Sequence, residues 1–123
     1  MAKILVVDDS ETARAQVKIA LASSKHTLLE ANGGVEALET LDKERDVELL
    51  LCDINMLEID GITLCKKIKE MPAFRTLKIL MLTTEASLEM KNKGKAVGVL
   101  GWVTKPFDPI KLSMVVDKLL AKS

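Results

Sequence analysis

Five side chains carry most of the chemistry this chain can offer: Asp8, Asp9, Asp53, Thr83 and Lys105. Asp8 and Asp9 close the apolar run ILVV (4–7), Asp53 closes ELLLC (48–52), Thr83 closes LKILML (77–82) and Lys105 follows VLGWV (99–103). If those runs are neighbouring parallel strands, all five groups meet at one edge. Three carboxylates gathered there repel one another, and a hard divalent cation with oxygen ligands relieves the repulsion. Mg²⁺ keeps several waters in near-octahedral coordination, so two carboxylates and a backbone carbonyl suffice as protein ligands. Asp9 and Asp53 are the direct-ligand candidates, Asp8 acts through water, and the backbone carbonyl of Asn55 is a third ligand. A carboxylate in such a site can attack phosphorus to form an aspartyl phosphate, with the Lys105 ammonium, the Thr83 hydroxyl and backbone N–H groups near Asn55 and Thr84 answering the phosphoryl oxygens.

Each piece alone has a plainer reading. Asp-Asp-Ser between a strand and a helix is a common cap and first turn. A threonine at a strand end is an ordinary β-former, and Lys-Pro can simply mark a turn. Their joint placement is what carries the chemistry.

The elements that must position these groups follow from apolar spacing. The first, third and fourth runs are apolar on successive residues, as in a parallel sheet covered on both faces, and HTLLE (26–30) supplies a further strand. Between the runs, Ala13, Val17, Ala20 and Leu21 share a helical face, as do Val35, Leu38 and Leu41, then Ile62, Cys65 and Ile68. Leu112, Val115, Val116, Leu119 and Leu120 form the strongest stripe, opened by Asp108 as N-cap and Pro109 in the first turn. Residues 86–97 give the weakest helix: Asn92 and Gly94 interrupt it and Lys91, Lys93 and Lys95 keep it wet, so a short, mobile, exposed helix is expected. The pattern predicts an α/β fold: a doubly wound (βα)₅ three-layer sandwich on a five-stranded parallel sheet, flavodoxin-like with strand order 2-1-3-4-5. Its ligand site lies beyond the carboxyl ends of the strands.

At 123 residues the expectation is a single domain spanning 1–123, without a separate effector domain. Lysine plus arginine and aspartate plus glutamate both number 18, so no global basic field attracts nucleic acid. No apolar run approaches the roughly 18 to 20 residues of a membrane span, and MAKILVVDDS reads as a strand rather than a signal peptide. Cys52 and Cys65 read as two free thiols in a reducing, cytoplasmic setting, and with His26 the only histidine they make no metal site.

The motifs VVDDS, CDINMLEIDG, MLTTE and GWVTKPF, spaced 44 residues from Asp9 to Asp53, 30 on to Thr83 and 22 on to Lys105, resemble the receiver domains of two-component response regulators. Within that family the stand-alone chemotaxis regulators are the most similar, and the likeness runs from Lys3 to about Leu120. The resemblance implies that Asp53 accepts a phosphoryl group from a histidine kinase and that Asp8 and Asp9 form the acidic metal pocket. It further implies that Lys105 contacts the phosphate, that Thr83 is the switch hydroxyl and that Trp102 is the aromatic switch. Asn55 and Glu85 match positions that gate attacking water and so tune autodephosphorylation. Two residues depart from the family's habit: Leu57 stands where proline is frequent, and Trp102, where tyrosine or phenylalanine is usual, needs more room to lie inward.

The implied output is a population shift that changes the face from about Ser87 to Lys118, which then meets a partner protein. The expected partners are a chemotaxis-type histidine kinase, a downstream target such as a flagellar motor switch protein, and a dedicated phosphatase, with the chain itself a monomer. A turnover phosphatase of related topology would place its nucleophile at the first strand with a second acid two residues on, whereas Asp8 and Asp9 are adjacent. A flavin carrier would need a phosphate-binding loop where this chain has DDSETAR. A phosphorylation-independent interaction module, a phosphorelay intermediate and a regulator of another pathway are the remaining readings.

Overall fold

The structure, a computed structural model, describes residues 1–122. Its elements run β1 (Lys3–Val7), α1 (Glu11–Ala20), β2 (Thr27–Ala31), α2 (Gly34–Lys43), β3 (Leu49–Cys52), α3 (Gly61–Lys69), β4 (Lys78–Thr83), α4 (Leu88–Ala96), β5 (Gly101–Thr104) and α5 (Pro109–Ala121), with one 3-10 turn at Pro72–Phe74. All strand pairs are parallel, in the order β2-β1-β3-β4-β5. The predicted three-layer (βα)₅ sandwich is therefore the fold.

Successive apolar residues in the central strands serve two different cores, because side chains alternate between the faces of a sheet. Leu5, Val7, Leu50, Cys52, Ile79 and Met81 point toward α2 and α3, where they meet Ala37, Leu41, Leu64, Cys65 and Ile68. Ile4, Val6, Leu49, Leu51, Leu80 and Leu82 point the other way, onto Val17 and Leu21 of α1 and Leu112, Val116 and Leu119 of α5. All four residues of β3 are at most 1% exposed. Burial of this kind stabilises by roughly 25 cal/mol per Å² of apolar surface, and it makes the sheet the rigid part of the molecule.

Side-chain caps fix where the helices begin. Ser10, Asp60, Ser87 and Asp108 accept the backbone N–H of Ala13, Thr63, Met90 and Ile110 respectively, opening α1, α3, α4 and α5. α2 starts instead at Gly33, and the Glu36 carboxylate reaches back to accept the Asn32 N–H at 2.8 Å.

Three expectations need correction. Val35 is 44% exposed: α2 turns Gly34, Ala37 and Leu41 inward, and that sequence of positions, with Leu38 half-buried, satisfies the helical period better than one beginning at Val35. The last strand begins at Gly101, two residues later than the apolar run, because Val97, Gly98 and Val99 spend their N–H groups on the carbonyls that end α4. Gly94 does not interrupt α4; it lies inside a continuous helix and is the one buried residue of it.

Candidate functional site

Register brings the aspartates together. Val7 pairs with Cys52, so Asp8 and Asp53, each the next residue, leave adjacent strands at the same level, and the Asp53 N–H still donates to the Val7 carbonyl at 3.1 Å. Around Asp8 the chain turns tightly into α1. The Ser10 N–H donates to Asp8 Oδ1 at 2.9 Å, and Arg14 Nη1 donates to the Asp8 carbonyl at 2.6 Å. The Asp-Asp-Ser run is thus both a cap, through Ser10, and part of the acidic pocket, through the two aspartates.

After Asp53 the loop folds back on the strand end. The Gly61 N–H donates to the Ile54 carbonyl at 2.8 Å, and a Cβ on Gly61 would lie 2.2 Å from the Asp53 carbonyl oxygen, so no larger residue fits there. Within the loop, Glu58 takes a positive φ of 63° and Leu57 is 78% exposed.

Carboxylate oxygens of Asp8, Asp9 and Asp53 lie within 4.8 Å of one another. Asp8 and Asp53 are 4% and 8% exposed, whereas Asp9 faces solvent. Lys105 reaches over them, its Nζ 2.5 Å from Asp8 Oδ2 and 3.4 Å from Asp53 Oδ2. Its backbone is pinned by an N–H bond to the Thr83 carbonyl at 2.9 Å, and the peptide bond to Pro106 is cis. Burial pulls the Lys105 ammonium down, but the carboxylates of Asp8 and Asp53 outweigh it and hold the group above 10.5. The donor set, three hard carboxylate oxygens open to water on the Asp9 side, fits Mg²⁺ and is poorly suited to a soft metal.

Thr83 is fully buried at the end of β4, and its hydroxyl accepts the Glu85 N–H at 3.2 Å. The Glu85 carbonyl in turn accepts the indole N–H of Trp102 at 2.7 Å. One residue therefore connects the threonine hydroxyl to the indole. Trp102 is half-buried and packs against the core that covers α2 and α3. Asn55 is exposed just beyond Asp53, and Glu85 is half-buried beyond Thr83.

Sequence reasoning passed over Arg14, Asp60 and Gly61, and read Gly94 only as an interruption of α4. The Asp-Gly pair at 60–61 is a legible cap and close-approach signal; Arg14 and Gly94 act through tertiary contacts, with the Asp8 carbonyl and the Trp102 ring, that no local pattern marks. The thiols of Cys52 and Cys65 are free and buried, and Cys52 Sγ donates to the Asp53 carbonyl at 3.2 Å.

A family model described as "Response regulator receiver domain" matches residues 4–117. The "Chemotaxis protein CheY homolog" of Campylobacter jejuni is 38% identical over 96% of this chain and 92% of its own length. "Chemotaxis protein CheY1" of Helicobacter pylori is likewise 38% identical, over 96% of each chain. Among solved structures, chemotaxis protein CheY4 of Vibrio cholerae matches with a TM-score of 0.91 at 38% identity, covering 97% of this chain and 98% of its own.

Proposed function

The chain belongs to the response regulator receiver domain family, and from that premise we propose that Asp53 is the residue phosphorylated when it signals. It is a CheY-like receiver whose acidic cluster suits phospho-aspartate chemistry, and it acts as a self-phosphorylating and self-dephosphorylating signalling module rather than a turnover enzyme. The observation that carries the Asp53 reading is its position. It sits at the carboxyl end of the central strand, nearly buried, within reach of the Lys105 ammonium and beside two further carboxylates.

A Mg²⁺ ion held by Asp9, Asp53 and the Asn55 carbonyl, with Asp8 through water, would screen the carboxylates and the phosphoryl oxygens. An Asp53 carboxylate oxygen attacks phosphorus, forming an O–P bond as the bond to the donor's leaving group breaks. That leaving group is the imidazole of a phosphohistidine or the acetate of acetyl phosphate. Lys105 keeps its bond to Asp8 and gives its weaker contact with Asp53 to a phosphoryl oxygen. Thr83 turns its hydroxyl from the Glu85 N–H toward the phosphoryl group, which loosens the peptide that holds Trp102. Asn55 and Glu85 flank the path of the water that later releases phosphate.

The output we assign is protein binding through α4, β5 and α5, by a single receiver domain acting as a monomer in the cytoplasm. Histidine kinases and downstream effectors are the partner classes of the family. A chemotaxis-type kinase, a flagellar motor switch protein and a dedicated phosphatase are the specific partners we propose, on the strength of the chemotaxis relatives. Among the described residues no helix is long and apolar enough to cross a membrane.

The test uses acetyl phosphate with and without Mg²⁺, reading intact mass and Trp102 emission on the same samples. Expected are a Mg²⁺-dependent gain of one phosphoryl group, an accompanying emission change, and neither in Asp53→Asn. Equal labelling of Asp53→Asn would sink the assignment.

A further inference from the structure

Gly94 stands in the last turn of α4, still at a helical position where glycine is less favourable than alanine. α4 runs unbroken from Leu88 to Ala96, and in a helix interior only proline is less favourable. The backbone does not ask for it: the positive φ at the end of this helix belongs to Gly98, at 95°. What the position requires is the absence of a side chain. A Cβ on Gly94 would lie 2.8 Å from Cζ3 of Trp102, closer than such carbons approach, while its contacts with Val99 would be an ordinary 3.5 Å.

Cζ3 belongs to a rigid ring, so relief cannot come from bending a flexible tip. The ring must move as a body, and its indole N–H is fixed at 2.7 Å on the Glu85 carbonyl. We propose that Gly94 is a positioning residue, the size partner of Trp102, which makes the room for the indole to lie beneath α4 with its N–H on Glu85 before any phosphoryl group arrives. The bulk that a tyrosine or phenylalanine would not bring is thus accommodated by removing a side chain from the helix above it. This rests on reading Trp102 and Thr83 as the switch pair, and it deepens that reading. Because Gly94 is the buried residue of α4, the underside of this exposed helix is set by the ring, and a displaced ring moves the helix.

The test compares the parent, Gly94→Ala, Trp102→Val, the Gly94→Ala/Trp102→Val double variant, and Asn92→Ala as an exposed control on the same helix. In the absence of phosphodonor and metal, Gly94→Ala shifts Trp102 emission to the red and increases its quenching by acrylamide; Asn92→Ala does neither. Gly94→Ala lowers the urea midpoint when Trp102 is present and raises it in the Trp102→Val background, where helix propensity alone operates. An unmoved emission, or a midpoint shift of the same sign in both backgrounds, overturns the proposal. If Gly94→Ala does not fold, recovery in the double variant supports the size pair, and failure in both backgrounds overturns it. None of these readings involves phosphorylation, so they stand or fall separately from Asp53, whose role the mass gain with acetyl phosphate tests on the same proteins.

Discussion

Lys105 does two jobs with one ammonium group. It pairs with Asp8 and Asp53 in the resting pocket, offsetting part of their charge, and on the proposed reading the same group would meet a phosphoryl oxygen. The resting job has a pH signature. The folded chain holds the Lys105 proton more tightly than the unfolded chain, because its value is raised above 10.5. The stability this gives is fully present below pH 10.5 and is lost as pH rises through the higher folded value. Lys105→Met is therefore expected to cost about 2 kcal/mol near neutral pH, the scale of hydrogen bonds to charged groups. In urea titrations the gap between variant and parent narrows once pH exceeds 10.5. A gap that stays constant there would mean that the ion pair contributes nothing. Thr83 and Trp102 show the opposite economy, two side chains joined through the backbone of a third, Glu85.

Elements place these residues by register and by loop closure. Pairing of Val7 with Cys52 sets Asp8 beside Asp53, and Gly61 closes the loop against the Asp53 carbonyl. Gly61→Ala is a sharp test of that closure. Alanine ordinarily improves a helix start, but here its Cβ would sit 2.2 Å from the Asp53 oxygen. The expected result is a loss of about 1–3 kcal/mol in urea unfolding, the usual cost of overpacking, together with slower labelling by acetyl phosphate as Asp53 is pushed from its place. An unchanged midpoint and rate would show that the loop yields freely. At this scale the sequence was most readable where one signal dominates: unbroken apolar runs gave β1, β3 and β4, and Asp108 with Pro109 marked the start of α5. The aspartates, Thr83 and Lys105 were legible because each ends or follows such a run. Residues whose role depends on how an element is rotated or packed were not. Val35 looks like a core residue until Gly34 and Ala37 are seen to take the inner face, and Gly94 looks like a flaw until Trp102 is set beneath it.

For the molecule as a whole, the double core seals what the pocket does not use. Cys52 and Cys65 are 1% and 0% exposed, and the Cys65 partner together with burial pushes the Cys52 thiol well above its ordinary value. Alkylation by iodoacetamide should therefore proceed only through unfolding. A domain stable by roughly 5 kcal/mol or more slows it at least about a thousand-fold against the urea-unfolded chain, with both adducts appearing together in the mass spectrum. Rapid single alkylation in buffer would instead reveal local opening of β3 or α3. The distribution of charge is just as uneven as that of apolar surface. The chain's formal charges sum to zero, yet three aspartates and one lysine leave the pocket two charges negative, so the remaining surface is two charges positive. An outwardly neutral molecule is in this respect a dipole whose negative pole is its reactive edge. A cation would be drawn to that pole and a phosphate anion opposed there, so a bound cation would ease the approach of a phosphodonor.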